Sequence, residues 1–177
     1  MTKYYLLVLL FFVVASAWAG DTARFSINEL RLKYQKASID EATAIEFNKE
    51  MSSYDGKDPL IKAYQAASVA VMAKYVWNPY SKLKHLKTAS AMFQEAVKRD
   101  KKQSEIRFLR FTVEHYVPRY LNLSEHVAED KRIIISSLQE YPNSGLSEGL
   151  ARTMRDFMLS KDHCTEEEKE ILRNISI

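Results

Sequence analysis

Beyond residue 25, hydrophobic side chains recur at every third or fourth position, the spacing that places them on one face of an α-helix. Strict alternation of polar and apolar residues, which marks a half-buried strand, is missing from this part of the sequence. We therefore predict an all-α domain of about eight helices joined by short turns. The predicted ranges are about 27–36, 40–52, 59–76, 79–99, 103–117, 124–140, 146–160 and a short helix after 165.

Residues that cap helices stand at the beginning of most of these ranges. The capping-box pattern, a hydroxyl residue followed three positions later by glutamate, occurs at Ser26 and Glu29, at Ser38 and Glu41, and at Thr165 and Glu168. Two further helices are expected to begin at Asp58-Pro59 and Asn78-Pro79, because proline at the first helical position loses no hydrogen bond. The range 59–76 contains few strongly polar residues, so we expect this helix to be buried on nearly every side.

The composition fits a single helical domain. Of the 177 residues, 46% are hydrophobic and 28% are charged, as in ordinary globular proteins. Only four glycines and four prolines are present, too few for the many turns of a β-sandwich or barrel. The single cysteine, Cys164, excludes a disulfide within the chain and a zinc site built from several cysteines.

The first nineteen residues have the parts of a secretory signal peptide. Lys3 is followed by an unbroken apolar run from Tyr4 to Val14, and Ala17-Trp18-Ala19 supplies small residues two positions apart. We expect cleavage after Ala19, leaving one domain of residues 20–177 that is periplasmic or secreted and does not insert stably into a membrane. An uncleaved anchor is the alternative, but residues 4–19 would form a helix of only ~24 Å against a hydrocarbon core of ~30 Å.

One stretch of the chain resembles a tetratricopeptide repeat. Ala89, Phe93, Ala96 and Asp100 follow the pattern of the second helix of that family, in which small residues allow close packing and the aromatic ring fills the space between helices. A fainter match runs from Ile134 to Pro142. The resemblance covers about two half-repeats and implies an array of antiparallel αα-hairpins, with an irregular helical bundle as the alternative. Otherwise the chain is similar to uncharacterised exported bacterial helical proteins, a resemblance that implies no activity.

The sequence lacks the residue patterns that are typical of catalysis or of metal and cofactor binding. No two histidines are three or four positions apart, and neither a Walker loop nor a GxGxxG motif occurs. The letters GxSxG occur from Gly145 to Gly149, but Ser147 there begins a helix without the preceding strand of a nucleophile elbow. Cys164 has no identifiable cationic partner that would make it a nucleophile. We therefore predict that the protein is not an enzyme and holds no metal or other cofactor.

The most unusual stretch is 105–120, in which basic and aromatic residues are interleaved on a helix with apolar residues on two sides. In a structural interpretation, Arg110 pairs with Glu114, four positions later on the same helix, and Arg107 pairs with a carboxylate on a neighbouring helix. In a functional interpretation, these side chains bind a carboxylate or an acidic peptide in a groove. The candidate binding residues are then Arg107, Arg110, His115, Arg119 and Tyr120.

Overall charge and the remaining aromatic residues add little about partners. The formal net charge is +3, so it predicts neither a nucleic-acid partner nor binding to an anionic membrane. Near the turn between the third and fourth helices, Tyr75, Trp77 and Tyr80 form either an exposed aromatic contact patch or the edge of the core, and we expect the edge of the core.

Three functions from different classes are compatible with these observations. The first is an exported helical adaptor that binds a peptide or a partner protein. The second is a structural accessory subunit of a larger envelope assembly. The third, a small hydrolase, is supported only by isolated residues. A stoichiometric partner would favour the first two, and turnover of a cell-wall or peptide substrate would favour the third.

Overall fold

The computed structural model describes residues 25–177, so the predicted signal peptide of residues 1–19 lies outside the described residues. Residues 25–177 form eight α-helices and one short 3₁₀-helix, without a β-strand, which confirms the all-α prediction. The helices are α1 (Ile27–Ala37), α2 (Glu41–Ser52), α3 (Pro59–Tyr75), α4 (Pro79–Arg99), α5 (Ser104–Glu114), α6 (Val127–Gln139), α7 (Glu148–Leu159) and α8 (Glu166–Arg173). They fit an irregular helical bundle. Among these helices, none is both long and apolar enough to cross a membrane.

Side-chain caps account for the start of several helices. Asp58 and Asn78 accept hydrogen bonds from first-turn N–H groups of α3 and α4, as the proline after each residue predicts. Thr165 and Glu168 form the complete capping box that is predicted for α8.

Two of the predicted capping boxes are wrong. Ser26 is the N-cap of α1, but its side chain makes no capping hydrogen bond. Asp40, rather than Ser38, caps α2, and its carboxylate accepts from the Thr43 backbone N–H at 2.7 Å. Ser38 instead ends α1 as its C-cap residue, and its hydroxyl donates to the Gln35 carbonyl oxygen at 2.6 Å.

Helix α5 lies between two hydrophobic cores. The first core is formed by α1 to α4 and includes Ile106 and Leu109 of α5. The second core joins α6, α7 and α8 to Phe108 and Phe111, which lie on another side of α5. Because both cores cover it, α5 is buried on nearly every side although it contains four charged residues. These are Glu105, Arg107, Arg110 and Glu114.

Helices α3 and α4 pack against each other at the centre of the first core. Alanines of α3, including Ala63 and Ala67, are completely buried and allow the neighbouring helices to come close. The positions that carry the tetratricopeptide resemblance, Ala89, Phe93 and Ala96, are also completely buried. Their burial agrees with close helix packing at this point, while the repeat itself stays a prediction.

The expectation that Trp77 and Tyr80 lie at the edge of the core is wrong. Their side chains are 95% and 75% exposed, respectively. Residues 76–78 connect α3 to α4, and the new helix starts at Pro79, so these two rings lie beyond the end of the core. Tyr75 alone is half-buried, and its hydroxyl donates to the Ala37 carbonyl oxygen at 3.0 Å.

We expect Phe93→Ala to lower the free energy of unfolding by ~3–5 kcal/mol, because the substitution leaves a cavity in a fully buried site. Urea denaturation followed by circular dichroism measures this loss. Tyr80→Ala on the same helix is the matched control, since an exposed ring should change stability by no more than ~0.5 kcal/mol. A loss below ~1 kcal/mol for Phe93→Ala would contradict the packing described here.

Candidate functional site

The two arginines of the predicted binding stretch lie in a buried charged cluster between α5 and α6. Arg110 is 2% exposed, and Asp130 of α6 is completely buried. Arg110 donates from Nε and Nη2 to the two carboxylate oxygens of Asp130, at 2.7 Å each. Arg107 donates to the same carboxylate at 3.1 Å and also to Glu129, which is half exposed. A bidentate charged pair of this kind is both strong and directional, so it determines how α6 lies against α5.

Glu114 has a different partner from the one that its spacing suggests. Its carboxylate is 4.0 Å from Arg110 Nε but accepts from the His126 backbone N–H at 3.0 Å. Glu114 also lies 3.0 Å from His126 Nδ1. It therefore supplies the acceptor at the start of α6, which begins at Val127 and not near 124.

The charges of the cluster already satisfy one another. A buried guanidinium is costly unless it is paired, and Arg107 and Arg110 share the buried Asp130. Arg107 is further held by the backbone carbonyl of Lys101 at 3.1 Å. Arg107 thus has the neighbouring-helix carboxylate that the structural interpretation predicts. Arg110, predicted to pair with Glu114, instead makes its two short hydrogen bonds to Asp130 and lies 4.0 Å from Glu114.

A second buried carboxylate fixes the other end of α5. Glu105 accepts from Arg31 Nε and Nη2 of α1, at 2.7 Å each, and from the Tyr64 hydroxyl of α3, also at 2.7 Å. The hydrogen bond to Glu105 raises the pKa of Arg31. Burial, followed by the Glu105 charge, raises the pKa of Tyr64 far above its ordinary value. Both partners therefore keep their protons at neutral pH, and these hydrogen bonds join α5 to α1 and α3.

The other three candidate binding residues lie away from the arginine cluster. His115 packs against the ring of His163, with 4.6 Å between centroids, and burial followed by the His163 charge lowers the pKa of His115. Arg119 and Tyr120 belong to the 3₁₀-helix Arg119–Leu121 and are exposed. The structure thus brings together only Arg107 and Arg110, and a binding role for the five residues stays a prediction.

A groove of about 1000 Å³ runs between α1 and α7, with residues of α3 and α5 between them. Several apolar side chains on its rim are exposed, among them Leu32 at 67%, Ile39 at 83% and Tyr116 at 55%. Among residues 25–177, the charged side chains that line it are all basic: Arg31, Lys74 and Lys161. Analysis of the sequence did not identify these residues, because only tertiary packing brings α1, α3 and α7 to one groove.

Ser147 and Cys164 belong to residue types that act as nucleophiles in many enzymes, but in this protein both side chains take part in the structure. Ser147 is the N-cap of α7, and its hydroxyl accepts from the Leu150 backbone N–H. Cys164 is buried, and this burial raises the pKa of its thiol to about 11, so the nucleophilic thiolate is scarce at neutral pH. Within residues 25–177 there is no group of three or more His, Cys, Asp or Glu side chains that could hold a metal ion.

Comparison with protein-family models, with curated proteins and with solved structures gives no match to this chain.

Replacing Arg110 with alanine should lower the free energy of unfolding by ~3–5 kcal/mol, because Asp130 then stays buried without its bidentate partner. Arg152→Ala is the matched control: Arg152 makes an exposed pair with Glu148 one helical turn away, and its loss should change stability by ~0.5 kcal/mol or less. Thermal and urea unfolding measure both variants. Equal stabilities of the two variants would show that the cluster does not hold α6 in place.

Proposed function

We propose that this protein is an exported helical adaptor, and that it binds a peptide or a segment of a partner protein in the groove between α1 and α7. The observation that carries the proposal is the groove itself, with its volume of about 1000 Å³ and its exposed apolar rim. Apolar side chains such as Leu32 and Ile39 gain stability when a partner removes them from water. Exposed apolar surface that borders a concave site is typical of binding sites.

The spacing of the lining residues suits an α-helical partner. Asn28, Leu32, Gln35 and Ile39 follow one another at steps of four, three and four along α1 and the turn after it. This is the spacing at which one helix packs along another. A partner helix is ~10 Å wide. If half of its cross-section lies inside the groove, the groove volume of about 1000 Å³ accommodates roughly 25 Å of helix, or four to five turns.

The charges of the groove favour an acidic partner. Within residues 25–177, neither Lys74 nor Lys161 has a carboxylate within 4.0 Å, so both ammonium groups are open to a new partner. Lys74 donates to the Ser38 carbonyl oxygen, and Lys161 lies over the Tyr116 ring at 5.5 Å. An amphipathic helix with carboxylates beside its apolar face would complement this surface in both respects.

The arginine cluster supports the groove without belonging to its lining. It joins α6 to α5, and α7 packs against α6 in the second core. The position of the α7 wall therefore depends on Arg107 and Arg110, although a partner in the groove would not touch them.

The expected export can be tested directly by determining the N-terminus of the protein in the exported fraction. We expect mass spectrometry to find a chain that begins at Gly20, because the small residues Ala17 and Ala19 form the cleavage pattern. A chain with intact Met1 in the membrane fraction would instead support the uncleaved anchor.

The binding proposal is tested by two matched substitutions of exposed aliphatic residues. Leu32→Glu places a carboxylate on the groove rim, whereas Ile45→Glu, at a side chain that is 51% exposed, alters a surface outside the groove. Neither should impair folding, because both side chains already face water. In affinity capture from envelope and medium fractions of the producing organism, we expect the unaltered protein and Ile45→Glu to retain a stoichiometric partner, and Leu32→Glu to lose it.

Retention of the same partner by Leu32→Glu would overturn the groove as the binding site. Such a result would favour an accessory subunit that attaches through another surface. Turnover of a cell-wall or peptide substrate by the purified protein would overturn the adaptor proposal as a whole.

A further inference from the structure

The near-neutral net charge conceals an uneven distribution of charge along the chain. No acidic residue occurs between Asp58 and Glu95, although this segment contains all of α3 and most of α4. Exposed lysines and aromatic rings concentrate around the turn between these helices. We call this surface the α3–α4 tip and define it by Lys74, Trp77, Tyr80, Lys82, Lys84 and Lys87.

The lysines of the α3–α4 tip are free of counter-ions in the described part of the chain. All four are exposed, and none has a carboxylate of residues 25–177 within 4.0 Å. Asp40 and Glu41, at the start of α2, lie near Tyr75 and raise its pKa after the larger effect of burial. The α4 side of the tip, which carries Lys82, Lys84 and Lys87, therefore has the greatest excess of positive charge.

Within residues 25–177, the two aromatic side chains of the tip are largely exposed to water. Trp77 is 95% exposed, more than any other large hydrophobic side chain of the described residues, and Tyr80 is 75% exposed. Indole and phenol rings prefer the interface between water and lipid, where the ring is removed from water and its N–H or O–H stays hydrated. Lysine ammonium groups beside them are attracted to anionic headgroups.

We propose that the α3–α4 tip attaches this protein to the surface of a bilayer that contains anionic phospholipids. Trp77 and Tyr80 enter the headgroup region, and Lys84 and Lys87, which lie on the same side of α4 as Tyr80, pair with lipid phosphates. The attachment is peripheral, since it uses the turn between two helices and needs no helix that crosses the bilayer. It is independent of the groove, with which the tip shares only Lys74.

A single-stranded nucleic acid is the other anionic polymer that binds lysines and aromatic rings together. Sites of that kind are grooves in which successive bases stack on rings. The α3–α4 tip is instead the convex end of a helical hairpin, with Trp77 almost fully exposed. The tip also contains lysine and no arginine, the residue that is preferred for nucleic-acid recognition. The geometry therefore favours the flat surface of a bilayer.

The test uses phosphatidylcholine vesicles with and without about a third of phosphatidylglycerol, a typical anionic lipid. All proteins are purified from the exported fraction and carry Trp18→Phe, which makes Trp77 the only tryptophan of either the full or the cleaved chain. We expect co-sedimentation and a blue shift of Trp77 fluorescence with the anionic vesicles alone. High salt should reverse both signals, because it screens the lysine charges.

Matched variants locate the binding surface. Lys84→Glu should weaken binding to anionic vesicles at least about fivefold, because it replaces an attraction with a repulsion. Lys98→Glu, at an exposed position near the other end of α4, should have no comparable effect. By co-sedimentation, Trp77→Ser should also weaken binding severalfold, whereas Ile45→Ser should not. All four side chains are exposed, so circular dichroism should be the same for each variant.

Three results would overturn the inference. The first is equal binding to neutral and anionic vesicles, or no binding to either. The second is equal weakening by Lys84→Glu and Lys98→Glu, which would indicate a nonspecific charge effect. The third is a single-stranded oligonucleotide that binds with the same dependence on Lys84 and Trp77 while anionic vesicles do not. None of these results affects the proposed function of the groove, which is tested by Leu32.

Discussion

Asp130 is buried between two arginines, and the arrangement of α5 and α6 depends on this contact. Taking three charged groups out of water is costly, so the cluster is stable only while its hydrogen bonds are complete. Arg110 provides two of them at 2.7 Å, and Arg107 provides a third at 3.1 Å. Unlike apolar packing, these bonds are directional and restrict the orientation of α6 against α5, because a guanidinium and a carboxylate meet in a plane.

The consequence of this constraint extends to the groove. Helix α5 contributes to both cores, with Ile106 and Leu109 in the first and Phe108 and Phe111 in the second. Glu105 binds α5 to α1 and α3, while the arginines bind it to α6. The two cores are therefore held on different sides of one helix. The space left between α1 and α7 is the groove that we propose as the binding site.

Local features of the fold could be predicted from the sequence because their causes are local. Proline after Asp58 and Asn78 predicts where α3 and α4 begin, and the scarcity of polar residues in α3 predicts its burial. Contacts between distant residues could not be predicted in this way. Asp130 is twenty positions after Arg110, and no spacing rule selects it over the other carboxylates.

The same limit applies to the candidate site. Exposure of Trp77 depends on where the core ends, and the groove depends on which helices become neighbours. The interleaved arginines and aromatic residues around 105–120 did identify the helix that joins both cores. Their spacing alone could not distinguish buried pairing from ligand binding, because both place arginine next to aromatic residues.

Native-state hydrogen exchange of an Asp130→Asn variant tests most directly whether the charged cluster joins the two halves of the protein. If it does, amides of α6 and α7, such as those of Ile134 and Met154, should lose protection through a local opening, while Ala67 of α3 and Phe93 of α4 keep theirs. An equal loss of protection at all four residues, or no loss at any of them, would contradict the account.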